Sequence, residues 1–231
     1  MQTNHIFILI HSPRVGPLTW SSVANELHQN DIEANLVVLP RPNNAPFYPS
    51  QAEAIAKTVN ELPAHSLPIL VGHSGASALL PAARQLIDRP LTGYILVDSH
   101  FPQDGKSRLE LHGDPAETER MRQEGSDGKL PVWSEADLLD VIAPPLMRQM
   151  LVEEMRPTPL ALYEEAIPVF PGWPDCPGGY IRFTPAYEVD FQQAQEHGWT
   201  TRVLEGTHFQ MFNRPADVAN VLVKIVDSWG V

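Results

Sequence analysis

A single cysteine, Cys176, stands among 231 residues, so no internal disulfide can form. Positive charge is also scarce: 16 Lys and Arg face 28 Asp and Glu, a formal net charge of -12. That balance argues against nucleic acid or an anionic membrane as a partner, because both would be repelled. No apolar run approaches the roughly 18 to 20 residues of a membrane span, and the opening MQTNHIFILIHSP has neither the basic flank nor the apolar length of a signal peptide. Together these absences lead to the expectation of a cytoplasmic protein. One cysteine and scattered histidines make no metal-ligand cluster, and no P-loop or GxGxxG precedes a helix, so neither a metal nor a nucleotide cofactor is expected. Internal repeats and low-complexity runs are missing as well. The length and the 43% of hydrophobic residues suit one sizeable core, and a single domain over residues 1–231 is expected.

What is present is an alternation. HIFILI (5–10), ANLVVL (34–39), LPILVG (67–72), YILVDS (94–99), YIRFT (180–184) and TRVLEG (201–206) have strand length and are mostly rich in Ile, Val and Leu, the pattern of buried parallel strands. Longer amphipathic stretches at 18–29, 50–62, 76–88, 188–197 and 214–229 read as helices. The order predicts an α/β fold with a doubly wound, mostly parallel, six-stranded sheet. Residues 100–178 break the alternation with many prolines and short helical stretches such as SEADLLDVI, LMRQMLVEEM and LALYEEAI. Inserted between two strands, they predict a helical cap over the C-terminal edge of the sheet, where open α/β folds put their sites.

Within this order VGHSGAS (71–77) sets Ser74 between two glycines, at the junction of a strand and a helix. Gly-X-Ser-X-small in that context is the pattern of a nucleophile elbow: small neighbours permit the sharp turn and the hydroxyl stands clear of the backbone. The alternative is a glycine-rich turn whose serine merely caps the helix. The chain resembles the α/β-hydrolase superfamily over essentially its whole length. LVGHSGAS looks like the elbow, LIHSPRVGPLTWSSVANEL like the first-strand loop and helix, and LEGTHFQMFNRPADVANVL like the closing strand, histidine loop and final helix. It is similar to the small capped members such as plant methyl esterases and hydroxynitrile lyases, with Ala76 in place of the last elbow glycine.

The resemblance implies that Ser74 is the nucleophile and His208, in the loop before the last helix, the base that activates it. His73, inside the elbow, is expected in the core or orienting a neighbouring loop. His5, His28, His65, His112 and His197 read as surface or satisfied residues, and His11 and His100 as strand-end residues near the site. For the carboxylate that orients the base, Asp98 at the end of ILVDS competes with Glu188 and Asp190 after the next strand, the more usual superfamily position. Asp98 is preferred. Gly75 is expected to give one oxyanion donor; the other should come from the loop after the first strand. That loop reads His11-Ser12-Pro13, and proline has no N–H, so the Arg14 N–H or the Ser12 hydroxyl is the expected substitute. The aromatics of PVW (131–133), LALYEEAIPVFPGWP and FQMF read first as cap core; facing a cleft, Trp133, Tyr163, Phe170 and Trp173 would give it a mainly apolar lining.

The expected function is therefore a cofactor-independent serine hydrolase cleaving a carboxylic ester, thioester or lactone of a small, mainly apolar molecule through an acyl-enzyme. A lyase or cyclase using the same residues, and a slow or non-catalytic binding protein on the same fold, stand beside it. A small-molecule substrate is the expected partner, with a homodimer left open.

Overall fold

The computed structural model describes residues 4–230. Its centre is a parallel sheet of six strands: β1 (His5–Ile10), β2 (Glu33–Val37), β3 (Leu67–His73), β4 (Gly93–Val97), β5 (Gly178–Arg182) and β6 (Thr200–Val203), in the spatial order β6-β5-β4-β3-β1-β2. The expected six strands and their doubly wound order are thus present, each beginning or ending within a few residues of the apolar run that marked it.

Alternation along each strand divides the core in two. Phe7, Leu9, Ile69, Val71, Ile95 and Val97 point to the face covered by α1 (Leu18–Gln29) and the C-terminal helix Pro215–Asp227. From α1, Trp20, Val23, Ala24 and Leu27 reach that core, a spacing of three and four residues that keeps them on one stripe. Ile8, Ile10, Leu70, Tyr94 and Leu96 point to the opposite face, where α2 (Tyr48–Asn60) and α3 (Leu80–Arg84) supply Ile55, Val59 and Ala83. The central strands are buried on both sides, which is why they read as unbroken apolar runs.

The helix expected over 76–88 is shorter and tighter at its start. Ser74–Leu79 is 3-10, with the Leu80 N–H bonded to the Ser77 carbonyl, and only Leu80–Arg84 is α. Pro81, which has no N–H to give a carbonyl four residues back, sits at the first α turn.

The chain leaves β1 for the outer strand β2, then returns to lay β3 on the other side of β1. Between β1 and β3 the direction of winding reverses, and the loops following their C-terminal ends diverge to leave a crevice. Over it, between β4 and β5, lies the cap: α4 (Arg108–Leu111), α5 (Pro115–Glu124), α6 (Pro145–Glu154) and α7 (Leu160–Glu164). Two antiparallel two-residue ribbons, Lys106–Ser107 with Ala166–Ile167 and Lys129–Leu130 with Thr158–Pro159, tie these helices together. A small core of Leu109, Met121, Leu130, Leu162 and Tyr163 closes on Phe47. Of the expected cap helices, 146–155 and 160–167 are found with changed ends, whereas SEADLLDVI keeps only the 3-10 turn Ala136–Leu138. The helices α4 and α5 lie in a stretch too polar to show a helical stripe. Their starts are marked instead by caps, Ser107 with Glu110 in a reciprocal box and Asp114 before Pro115.

Candidate active site

The peptide plane at the end of β3 turns abruptly. Ser74 has φ +55°, one of three non-glycine residues with positive φ among the described residues; the others are Asp98 at +43° and Asp31 at +58°. For a residue with a Cβ this region is sparsely populated and costs free energy. The turn is possible because Gly72 has no side chain: a Cβ there would stand 3.0 Å from the Ser77 Cα.

Asp98 follows β4, the neighbour of β3, and is wholly buried. One carboxylate oxygen accepts from the Phe183 N–H at 2.7 Å and the Thr184 N–H at 2.9 Å, and the other from the Thr184 hydroxyl at 3.1 Å. That second oxygen also lies 2.7 Å from His208 Nδ1. A carboxylate with these donors is an acceptor, so Nδ1 carries the proton of the neutral imidazole and Nε2 keeps its lone pair. From behind, His73 Nε2–H donates to the His208 carbonyl at 2.9 Å. Complete burial and the nearby His208 hold His73 well below the usual imidazole range, so it stays neutral. Tyr187 joins the two sides of the site, its ring stacked on His208 at 5.6 Å and its side chain lining the cleft together with Ser74. Burial pushes its phenol pKa far upward.

Glu188 and Asp190 are engaged elsewhere. Glu188 pairs with Arg182 on β5. Asp190 accepts from the Phe101 N–H at 2.7 Å and lies 3.0 Å from His100 Nδ1, whose Nε2 is 3.2 Å from His112 Nδ1. His112, expected as a bland residue, therefore lines the same cleft as Ser74, together with His100, Arg108, Tyr163 and Tyr187. Burial, with His100 beside it, lowers its pKa to about 4.

The first-strand loop is held by its own hydrogen bonds. His11 Nε2 accepts the Leu39 N–H at 3.2 Å, which leaves Nδ1 to donate to the Ser12 carbonyl at 2.9 Å. Pro13 sits against Gly75, its Cδ 3.5 Å from where a Cβ would stand. Ser12 is buried outside the Ser74 cleft, and the Arg14 side chain turns to the cap: it donates to the Pro131 carbonyl at 2.8 Å and stacks on Trp133 at 4.2 Å. Trp133 packs edge-on to Phe209 and so is a support of the histidine loop instead of a cleft wall. Trp173 packs on Tyr94, Phe101 and Trp199. Of the residues expected to bind substrate, Gly75 and Tyr163 alone line the cleft among the described residues, and the lining is more polar than anticipated. Large aromatics gain more from burial in the core and against a guanidinium than from a solvated cleft.

Arg108 was not anticipated. It is 3% exposed, and its guanidinium donates to the Gly75 carbonyl at 2.9 Å, the Leu162 carbonyl at 3.1 Å and Gln51 Oε1 at 3.3 Å. Flanked by Ser107, Leu109 and Glu110 in a polar stretch, it carries no sequence signal that separates it from a surface arginine.

Comparison with solved structures places the fold among esterase-like neighbours at low identity. An extracellular α/β-hydrolase from a Paenibacillus species, described as sharing structural and functional homology with tobacco salicylic acid binding protein 2, superposes with a TM-score of 0.76 at 16% identity, covering 95% of this chain and 98% of that one. Tomato methylketone synthase I gives 0.75 at 14%, covering 97% and 98%. A methylesterase from Arabidopsis gives 0.71 at 17%, covering 96% and 98%. A sequence comparison with curated proteins finds no match. The model of the alpha/beta hydrolase family matches residues 7–221, and the chain belongs to that family.

Proposed function

We propose that the protein is a serine hydrolase that cleaves a small carboxylic ester, thioester or lactone through an acyl-enzyme. The observation that carries this reading is the pairing of His208 Nδ1 with the buried Asp98 at 2.7 Å, together with a serine held at φ +55° on a strand-to-helix turn. With its proton committed to Asp98, the imidazole offers Nε2 to the Ser74 hydroxyl. Ser74 Oγ then bonds to the carbonyl carbon as its proton passes to Nε2, and the carbonyl oxygen becomes the oxyanion. Collapse of that intermediate breaks the bond to the leaving oxygen or sulfur, which takes the proton from Nε2. Water, deprotonated by the same nitrogen, releases the acid and restores Ser74. The imidazolium formed in each half-reaction is stabilised by Asp98. The Gly75 N–H is one oxyanion donor.

Pro13 beside Gly75 favours a second, slower reading, a binding protein or a lyase on the same residues. Loss of one oxyanion donor costs about 10²- to 10³-fold in rate. Labelling with a fluorophosphonate probe, followed by intact mass, separates the readings. The expected result is a single adduct on the wild type, none on Ser74→Ala, and loss of ester turnover in that variant. A Ser74→Ala protein that is still labelled, or that still hydrolyses short esters at the wild-type rate, overturns the proposal.

A further inference from the structure

Apart from Arg108, the cleft at Ser74 is lined by the small or apolar Gly75, Ala78 and Leu111, two tyrosines and two histidines. Arg108 thus supplies the one permanent charge among the residues around Ser74, and the charge is positive in a protein of net charge -12; the adjoining space on the His208 side, which shares His100, His112 and Tyr187, adds the carboxylates of Asp114 and Glu117. Among the described residues it makes no ion pair: its three hydrogen bonds all go to neutral acceptors. The acid whose field it feels is Glu165. That carboxylate is committed at the start of α2, accepting the Phe47 N–H with one oxygen and the Tyr48 N–H with the other, both at 2.7 Å. Removing a guanidinium from water without a counter-charge is expensive, and burial lowers the Arg108 pKa to about 10, which leaves it cationic at neutral pH.

Three carbonyl-type acceptors leave two of the five guanidinium N–H groups free, one on each terminal nitrogen. Free N–H groups on both terminal nitrogens suit the two oxygens of a carboxylate. The site for such a group lies next to the nucleophile, since Arg108 lines the same cleft as Ser74.

We infer that the substrate carries a carboxylate a few carbons from the scissile carbonyl, and that Arg108 receives it. This rests on reading Ser74 as the nucleophile. The arginine then has two tasks: its Nε bond braces the elbow from the cap, and its terminal nitrogens select acidic esters over neutral ones.

Binding by the Ser74→Ala protein tests the inference apart from turnover. Calorimetric titration with monomethyl glutarate and with dimethyl glutarate at low ionic strength should give an affinity at least about tenfold higher for the monoester, the scale of a charge-assisted hydrogen bond. Adding Arg108→Gln should abolish the difference, whereas Arg108→Lys should keep its direction; circular dichroism shows whether each variant is folded. If Arg108→Gln fails to fold, the comparison of the two esters on the Ser74→Ala protein decides alone. Equal affinity, tighter binding of the diester, or neither ester binding overturns the inference, as does a preference that survives Arg108→Gln. A wild-type protein that hydrolyses neither ester while Ser74→Ala still prefers the monoester refutes the hydrolase reading and leaves the anion site standing. Hydrolysis of both esters with equal kcat/KM does the reverse.

Discussion

Asp98 performs several tasks through one side chain. Its Oδ1 accepts two backbone N–H groups of the segment after β5, and its Oδ2 accepts from Thr184 and His208. Asp98→Asn preserves the shape and can keep an oxygen toward Phe183 and Thr184, but it then turns an N–H₂ toward His208 Nδ1. The imidazole proton is driven to Nε2, which then has no lone pair to accept a proton from a nucleophile. Turnover is expected to fall by about 10⁴-fold with the fold intact, the scale known for a triad carboxylate replaced by its amide. Glu188→Gln, at a residue engaged with Arg182 and Gln192 and not with His208, should change turnover less than about tenfold on the same reasoning; steady-state kinetics on both variants checks the pair. His208→Ala should lower acylation by several orders of magnitude. Acylation of His208→Ala at the wild-type rate counts against His208 as base.

At the scale of elements, close approach is secured by glycines that face large side chains. A Cβ at Gly178, the first residue of β5, would stand within the Trp199 indole, and one at Gly179 would meet Ile225 of the C-terminal helix at 2.5 Å. Trp199 leads into β6 and is 8% exposed, so it has little room to move aside. Gly178→Val should therefore destabilise the protein by about 1–3 kcal/mol or more through overpacking, read as a lower urea midpoint with an unchanged slope. A midpoint equal to wild type refutes the close packing of β5 against Trp199. A polar device closes the other side of the sheet: Arg89 donates to the carbonyls of Val59, Leu62, Pro63, Ala64 and Ser66 at 2.7 to 3.4 Å, satisfying the end of α2 and the turn into β3. In sequence this residue stands in DRP and looks like an exposed turn.

For the molecule as a whole, the buried histidines set the response to acid. Burial lowers His11 to about 4, holds His73 well below the usual range, and with His100 lowers His112 to about 4. In the unfolded chain each takes up a proton near pH 6.5. Between about 6.5 and about 4 the unfolded state therefore binds more protons than the folded one, so stability is full above that window and falls as pH drops through it. The urea midpoint should decrease steadily from pH 7.5 to 4.5. A midpoint that is constant or rises over this range overturns the assignment of these three rings as neutral in the fold.

Six apolar runs, the amphipathic spacing of 18–29 and the glycine-serine-glycine turn are local patterns, and they determined the sheet, the helix that packs on it, and Ser74 at a strand end. Backbone geometry and burial act within a few residues, so a window of sequence contains them. The sequence offers Asp98 at the end of an apolar strand beside Glu188 and Asp190, yet the contact with His208 joins residues 110 positions apart and depends on where the 208 loop settles, with His73 holding it from behind. Only the tertiary structure decided the walls of the cleft. It placed Trp133 and Trp173 in packing of their own, and it brought forward Tyr187, His112 and Arg108 from stretches that read as ordinary surface. The reason is physical: a side chain's role in a site follows from which long-range partners exclude water from it, and no local propensity records those partners.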